Sequence, residues 1–260
     1  MTHIYAFANQ KGGVGKTTTA VNLGAYLAAK GQRVLLIDLD PQSNATSSLG
    51  FDKKQVKASL YNVLIDSQPL PEVIQLTKRV RLDLAPSSPQ LAGAEVELVQ
   101  MSEREKRLKR AIAQIQANYD YILIDCPPSL SLLTINALAA AHGVIVPVQC
   151  EYLALEGLSQ LMNTLQLVRK ALNPGLALRG LIMTMYDSRA RLAHQVIEEV
   201  RKHFGERLFK TLVPRSIRLG EAPSFGEPIL AYAGSSSGAL AYDQLADEIL
   251  NGDRPMSENK

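Results

Sequence analysis

Residues 9 to 17 read Asn-Gln-Lys-Gly-Gly-Val-Gly-Lys-Thr, NQKGGVGKT, and their surroundings decide the fold. The run IYAFAN (4–9) leads into this stretch and TTTAVNLGAYLAAK (17–30) leads out of it. The first reads as a strand and the second as a helix. A glycine-rich turn between a strand and a helix lets backbone N–H groups converge on an anion at the helix N-terminus, where the dipole adds to the attraction. The usual phosphate-loop pattern of Gly, four residues, Gly, Lys and Ser or Thr is met at Gly15, Lys16 and Thr17, but Gln10 replaces the first glycine. In this reading Lys16 sits on the β- and γ-phosphates of a nucleotide and Thr17 ligates magnesium. Lys11 is an additional lysine with no place in the pattern.

Short β-branched runs alternate with Ala/Leu-rich amphipathic ones on either side of the loop. Strands are expected at His3 to Ala8, Arg33 to Asp38, Val80 to Leu84, Tyr121 to Asp125, Gly143 to Val148 and Leu178 to Met183. Helices are expected at Lys16 to Lys30, Pro89 to Gln116, Ser131 to Ala141, Leu153 to Leu172, Arg189 to His203 and Ala239 to Leu250. VLLIDLD and YILIDC are almost continuously apolar, as strands buried on both faces must be. The alternation predicts an α/β fold with a doubly wound, mostly parallel sheet flanked by helices. No repeat or composition break divides the chain, so residues 1–250 read as one domain and NGDRPMSENK (251–260) as a polar, frayed tail.

With 260 residues, 46% hydrophobic and 20% charged, the composition is that of an ordinary globular protein. MTHIYAFANQ has no basic region or cleavage site of a signal peptide, and no apolar run approaches the roughly 20 residues that span a bilayer. A cytoplasmic location follows as the expectation. Cys126 and Cys150 are too few and too isolated for a disulfide framework or a metal cluster of their own. The net charge is only +3, but the segment Asp187 to Arg218 holds eight basic and four acidic residues, so it carries +4 and the rest sums to −1.

A magnesium-bound nucleotide needs carboxylates near the loop, and α/β sheets place them at the carboxyl ends of strands. Asp38 and Asp40 close VLLIDLD, and Asp125 closes YDYILIDC.

NQKGGVGKTTTAVNLGAYLA, VLLIDLDPQSNATSSLG, YDYILIDCPPSL, TMYDSRARLAHQVIEEV and VPRSIRLGEAPSFGEPI together resemble the ParA/Soj partition ATPases of the deviant Walker A (MinD/ParA) class, from His3 to about Leu250. The resemblance implies ATP and magnesium as cofactors, with nucleotide contacts at Lys11, Gly12, Gly13, Val14, Gly15, Lys16, Thr17, Thr18 and Pro214. It implies that Lys11 reaches across a nucleotide-sandwich homodimer to the phosphates of the other subunit, that Asp40 orients or activates the attacking water, and that Asp125 holds magnesium through water. Thr17 belongs to the implied metal shell, and Asp38, which begins the same Asp-x-Asp motif, reads as a structural or metal-shell carboxylate. Lys11, Lys16 and Asp40 form the implied catalytic set.

Non-specific DNA binding needs arginines and lysines placed against phosphates, with no base-reading element. Arg189 and Arg218 match family positions on the DNA-binding surface, and Arg191 and Arg215 are their neighbours in the basic segment. The resemblance also implies a ParB-like partner that stimulates slow hydrolysis, and association with the nucleoid. With the loop beginning by residue 9, no operator-binding extension is expected before it, and the partner that recognises a specific site is expected to be a separate protein. A MinD-like protein positioning division machinery on a membrane is the alternative, but NGDRPMSENK lacks the basic amphipathic character that such a protein carries at its end, so no stable membrane association is expected. An iron-sulfur carrier on the same ATPase fold would need thiolates shared between subunits, and neither Cys126 nor Cys150 has a cysteine near it in sequence.

Overall fold

Strand β1 (His3–Phe7) in the computed structural model, which describes residues 1–151 and 154–253, runs through the glycine-rich turn into helix α1 (Lys16–Ala29). The chain continues through β2 (Val34–Asp38), the short helices α2 (Asn44–Ser48), α3 (Leu60–Leu64) and α4 (Leu70–Val73), then β3 (Gln75–Leu76) and β4 (Leu82–Ala85). Next come α5 (Leu91–Leu98), α6 (Arg107–Ala113), β5 (Tyr121–Asp125), α7 (Leu132–Ala140), β6 (Gly143–Gln149) and α8 (Ala154–Ala171). The last third holds β7 (Ala177–Tyr186), α9 (Arg191–Phe204), β8 (Leu208–Pro214), α10 (Ile217–Glu221), α11 (Ile229–Tyr232) and α12 (Ser237–Asp253).

The eight strands form one sheet in the order β3-β4-β2-β5-β1-β6-β7-β8. Among the described residues only the pairing of β3 with β4 is antiparallel. Every residue of β2 and β5 is buried, the physical counterpart of their unbroken apolar runs. Alternation sends Leu35, Ile37, Ile122 and Ile124 into the core on one face, and Leu36, Tyr121 and Leu123 into the core on the other. With β1 central, its carboxyl end opens between the ends of β5 and β6, where open α/β sheets bind ligands.

Three departures from the sequence pattern have physical causes. The helix expected from Pro89 to Gln116 is two helices, because the intervening loop is held from outside: buried Asn136 on α7 accepts from the N–H of Leu108 at 3.1 Å and donates to the carbonyl of Arg104 at 2.7 Å. Strand β8 falls inside the basic segment, where Lys210 and Thr211 interrupt the apolar run. The terminal helix continues to Asp253, three residues into the expected tail. Its carboxylate, 6% exposed, accepts from the hydroxyls of Tyr5 (2.7 Å) and Tyr121 (3.1 Å) and from Nε of Arg179 (3.0 Å). Residues 254–260 of that tail, and Leu153 at the start of the fourth expected helix, lie outside the described residues.

Candidate functional site

The loop after β1 is shaped by Gly13 and Gly15, at φ 74° and 88°, where an L side chain would be strained. Gly15 caps α1 with no side-chain hydrogen bond, which leaves the first N–H groups of the helix available to an anion. Neighbouring strands hold the loop. Asn9 accepts from the N–H of Lys11 at 3.0 Å and donates to the carbonyl of Pro147 on β6 at 2.8 Å, and Thr184 on β7 donates to the carbonyl of Val14 at 2.8 Å. Lys16 folds inward and is buried, its Nζ donating to the carbonyl of Lys11 at 3.2 Å. Burial lowers its pKa, against the pull of Asp125, Cys126 and Asp40. Lys11 leaves the loop in another direction: its Nζ donates to Oε2 of Glu151 at 2.7 Å, and Nε2 of Gln149 donates to the other oxygen at 2.6 Å.

Parallel pairing of β2 with β5 sets Asp38 opposite Asp125. Asp38 is fully buried and fully engaged, accepting from the N–H (2.7 Å) and hydroxyl (2.6 Å) of Thr46 and from the N–H of Asp40 (3.2 Å). Burial pushes its carboxyl up to about 6, opposed by those hydrogen bonds. Asp125 differs. Neither of its buried oxygens has a well-formed hydrogen bond. Burial, then the charge of Asp38, raises its pKa well above the usual carboxylate range, and the nearby Thr17 hydroxyl and Lys16 ammonium only partly offset this. A buried carboxylate short of partners, beside the Thr17 hydroxyl, fits a hydrated divalent cation. Among the described residues no cluster of three or more His, Cys, Asp or Glu side chains forms a protein cage for a metal, so such an ion would take most of its oxygens from phosphate and water. Asp40 lines the open cavity, its Oδ1 accepting from the N–H of Gln42 at 2.9 Å and its carbonyl from the hydroxyl of Ser87 at 2.7 Å.

Two cavities meet at the loop. One, of about 430 Å³, is lined by Gly13, Lys16, Thr17, Asp40, Pro128 and Met185 among others. The other, of about 230 Å³, includes Thr18, Met185, Pro214, Leu219 and Tyr242. Gly15, Thr18 and Met185 line both, so the two cavities adjoin, one at the phosphate loop and the other against Pro214.

The four arginines follow the carboxyl ends of two parallel neighbours, β7 and β8, in which Tyr186 lies opposite Pro214. Arg189 and Arg191 follow β7, and Arg215 and Arg218 follow β8. Arg215 donates its N–H to the carbonyl of Tyr186 at 3.0 Å. The Arg189 side chain, 88% exposed, forms a two-point ion pair with Asp187, whose carboxyl it holds well below the usual range with help from Arg215. Arg218 pairs with Glu221 at 2.9 Å, and Glu221 also accepts from the hydroxyl of Tyr232. The turn after α10 (Ala222–Phe225) packs on α2, where Gly226 and Gly50 meet backbone to backbone: a Cβ on Gly226 would lie 2.6 Å from Cα of Gly50. Sequence reasoning missed Thr46, Glu151 and Met185. Only the polar run SNATSS after Asp40 hinted at the first.

A family model described as an AAA domain matches residues 2–178. The chain is 56% identical to sporulation initiation inhibitor protein Soj of Bacillus subtilis (strain 168), covering 96% of this chain and 98% of that protein. It is 51% identical to chromosome partitioning protein ParA of Myxococcus xanthus (strain DK1622), covering 99% and 91%. The chain belongs to the ParA/Soj family. Among solved structures, cobyrinic acid a,c-diamide synthase from Mycobacterium smegmatis with bound ADP and magnesium is similar to this ParA/Soj chain with a TM-score of 0.86 at 40% identity, covering 96% of this chain and 95% of that one. Septum site-determining protein MinD from Pyrococcus horikoshii OT3, complexed with Mg-ADP, is similar with a TM-score of 0.78 at 28% identity, covering 97% and 98%. Membership of the ParA/Soj family agrees with the deviant loop, and the neighbours agree with the parallel sheet around it. Among the described residues no helix is long and apolar enough to cross a membrane.

Proposed function

We propose that this chain is an ATP-hydrolysing chromosome-partition protein whose ATP-bound form is a symmetric dimer that holds DNA without sequence preference. The observation that carries the reading is the placement of the phosphate loop and of all four arginines at one end of the sheet, the carboxyl ends of β1, β7 and β8. A change at the loop and a change in how the arginines are presented can then share one face of the molecule. The relatives named chromosome partitioning protein ParA, at 51% and 50% identity, support partition over the septum-site-determining role named for the 28% neighbour.

Lys16, already turned into the cavity, holds the β- and γ-phosphates, and the free N–H groups at the start of α1 hold the anion from below. Thr17 and, through water, Asp125 would hold magnesium, which neutralises phosphate charge during transfer. Asp38 fixes α2 and the Asp40 backbone rather than meeting the nucleotide. Asp40 orients the attacking water. Lys11 crosses to the phosphates held by a second copy, so hydrolysis requires the dimer. A ParB-like protein stimulates slow hydrolysis, which opens the dimer and releases DNA.

Binding of random-sequence duplex DNA with ATP, with ADP and without nucleotide, at two salt concentrations, tests the proposal. The expected result is ATP-dependent binding that weakens steeply with salt. Binding that ignores nucleotide would remove the switch, and ATP-dependent binding to anionic vesicles in place of DNA would favour the MinD-like reading.

A further inference from the structure

Met185 occupies a position that the regular geometry of its strand does not provide. Along β7, Leu181 and Met183 face one core and Ile182 the other, as alternation requires. Continued alternation would place Met185 with Leu181 and Met183. Instead the register with β8 slips: Met183 pairs with Leu212 and Tyr186 with Pro214, so β7 uses three steps where β8 uses two. The extra residue is a bulge, a device that re-aims a side chain. Tyr186 packs against the core that Met185 would otherwise meet. Met185 itself adopts φ 52°, a left-handed conformation unusual for a long unbranched side chain. The residues before and after it are fastened, Thr184 to the carbonyl of Val14 and Tyr186 to the N–H of Arg215. These constraints hold Met185 where it lines both cavities, together with Gly15 and Thr18.

We infer that Met185 is a nucleotide-positioning residue, whose side chain packs against the nucleoside between the phosphate-loop cavity and the cavity beside Pro214. This rests on the ATP-binding reading above. A flexible, polarisable thioether suits an irregular apolar contact with a sugar or base. Strain maintained at a cavity wall is the kind of local cost that proteins retain at functional sites.

The test compares the full chain with its Met185→Gly, Met185→Asn and Met185→Leu variants. Glycine and asparagine both tolerate the left-handed backbone but lack the apolar side chain. Affinities for ATP, ADP and inorganic tripolyphosphate are measured together with the denaturant midpoint. Met185→Gly and Met185→Asn are expected to bind ATP and ADP about tenfold more weakly, as removal of one apolar side chain from a ligand's surface should do. Met185→Leu should stay within about threefold, as a volume-conserving change. Tripolyphosphate affinity should be unchanged in all three, and the midpoint of Met185→Gly should not fall below that of the parent. Unchanged ATP and ADP affinity in both the glycine and asparagine variants would overturn the inference, as would an equal drop in tripolyphosphate affinity, which would mean that the phosphate loop had been disturbed. If the parent protein binds none of the three ligands, the ATP-binding reading itself fails.

Discussion

Nζ of Lys11 lies 2.7 Å from Oε2 of Glu151, at the end of β6 and away from the cavity that Lys16 faces. The two lysines of one short loop therefore have separate destinations. Lys16→Ala should abolish ATP binding measured by calorimetry. Lys11→Ala should bind ATP within about threefold of the parent, since the Lys11 side chain does not line its own cavity. It should nevertheless lose ATP-dependent dimerisation or hydrolysis, read by light scattering and phosphate release. Loss of ATP binding in Lys11→Ala would show that this lysine serves its own loop.

Asp40 and Asp38 are two residues apart but differ in what they can do. Asp38 is saturated by Thr46 and the Asp40 N–H, whereas Asp40 reaches the cavity. Asp40→Ala is expected to lower the hydrolysis rate by roughly 100-fold or more, the usual range for removal of a general base or water-orienting group, while ATP binding persists. The ATP-bound form should then accumulate on DNA. A rate within about twofold of the parent would exclude Asp40 from that role.

Thr46 is the inward hinge of the carboxylate cluster. Its hydroxyl donates to Asp38 at 2.6 Å and accepts from the N–H of Ser87 at 3.0 Å, all three residues buried. Thr46→Val keeps the shape but leaves the buried Ser87 N–H without its acceptor and Asp38 with one hydrogen bond fewer, so unfolding in urea should show a stability about 1–3 kcal/mol lower. Thr46→Ser retains the hydroxyl and should recover most of it.

Arg218→Glu reverses a charge on the edge built by β7 and β8. ATP-dependent dimerisation should survive, and DNA affinity should fall with a salt dependence shallower by about one unit for each DNA phosphate that is no longer neutralised. Arg189→Ala tests the neighbouring loop in the same assay. Unchanged DNA affinity in both variants would move the DNA surface elsewhere.

At the opposite end of the sheet, Asp253 closes a buried arrangement with Tyr5, Tyr121 and Arg179. Asp253→Ala leaves two hydroxyls and a guanidinium short of their acceptor and should cost about 3 kcal/mol of stability. ATP affinity should not change, which separates this anchor from the site.

The parts of the molecule readable in advance were those written locally. The apolar runs ending at Asp38 and Asp125 form fully buried neighbouring strands, and the glycine spacing before Lys16 corresponds to a left-handed helix cap. What escaped was set by distant partners. Asn136 breaks a long helical pattern from another helix, and the three residues after Leu250 are ordered by tyrosines on β1 and β5. Thr46 and Glu151 are inconspicuous in sequence because their meaning lies in Asp38 and Lys11. Met185 owes its place to a register slip between two strands, and no periodicity within one strand can show that.

The contact between Gly50 and Gly226 leaves no room for a methyl group between two stretches of main chain. One stretch ends the helix whose Thr46 grips Asp38. The other follows the turn after Arg218. Side chains can absorb a small displacement by changing rotamer, but bare backbones in contact cannot. A displacement of the chain after α2 therefore cannot be taken up by side chains at this junction and must be met by the main chain that follows Arg218.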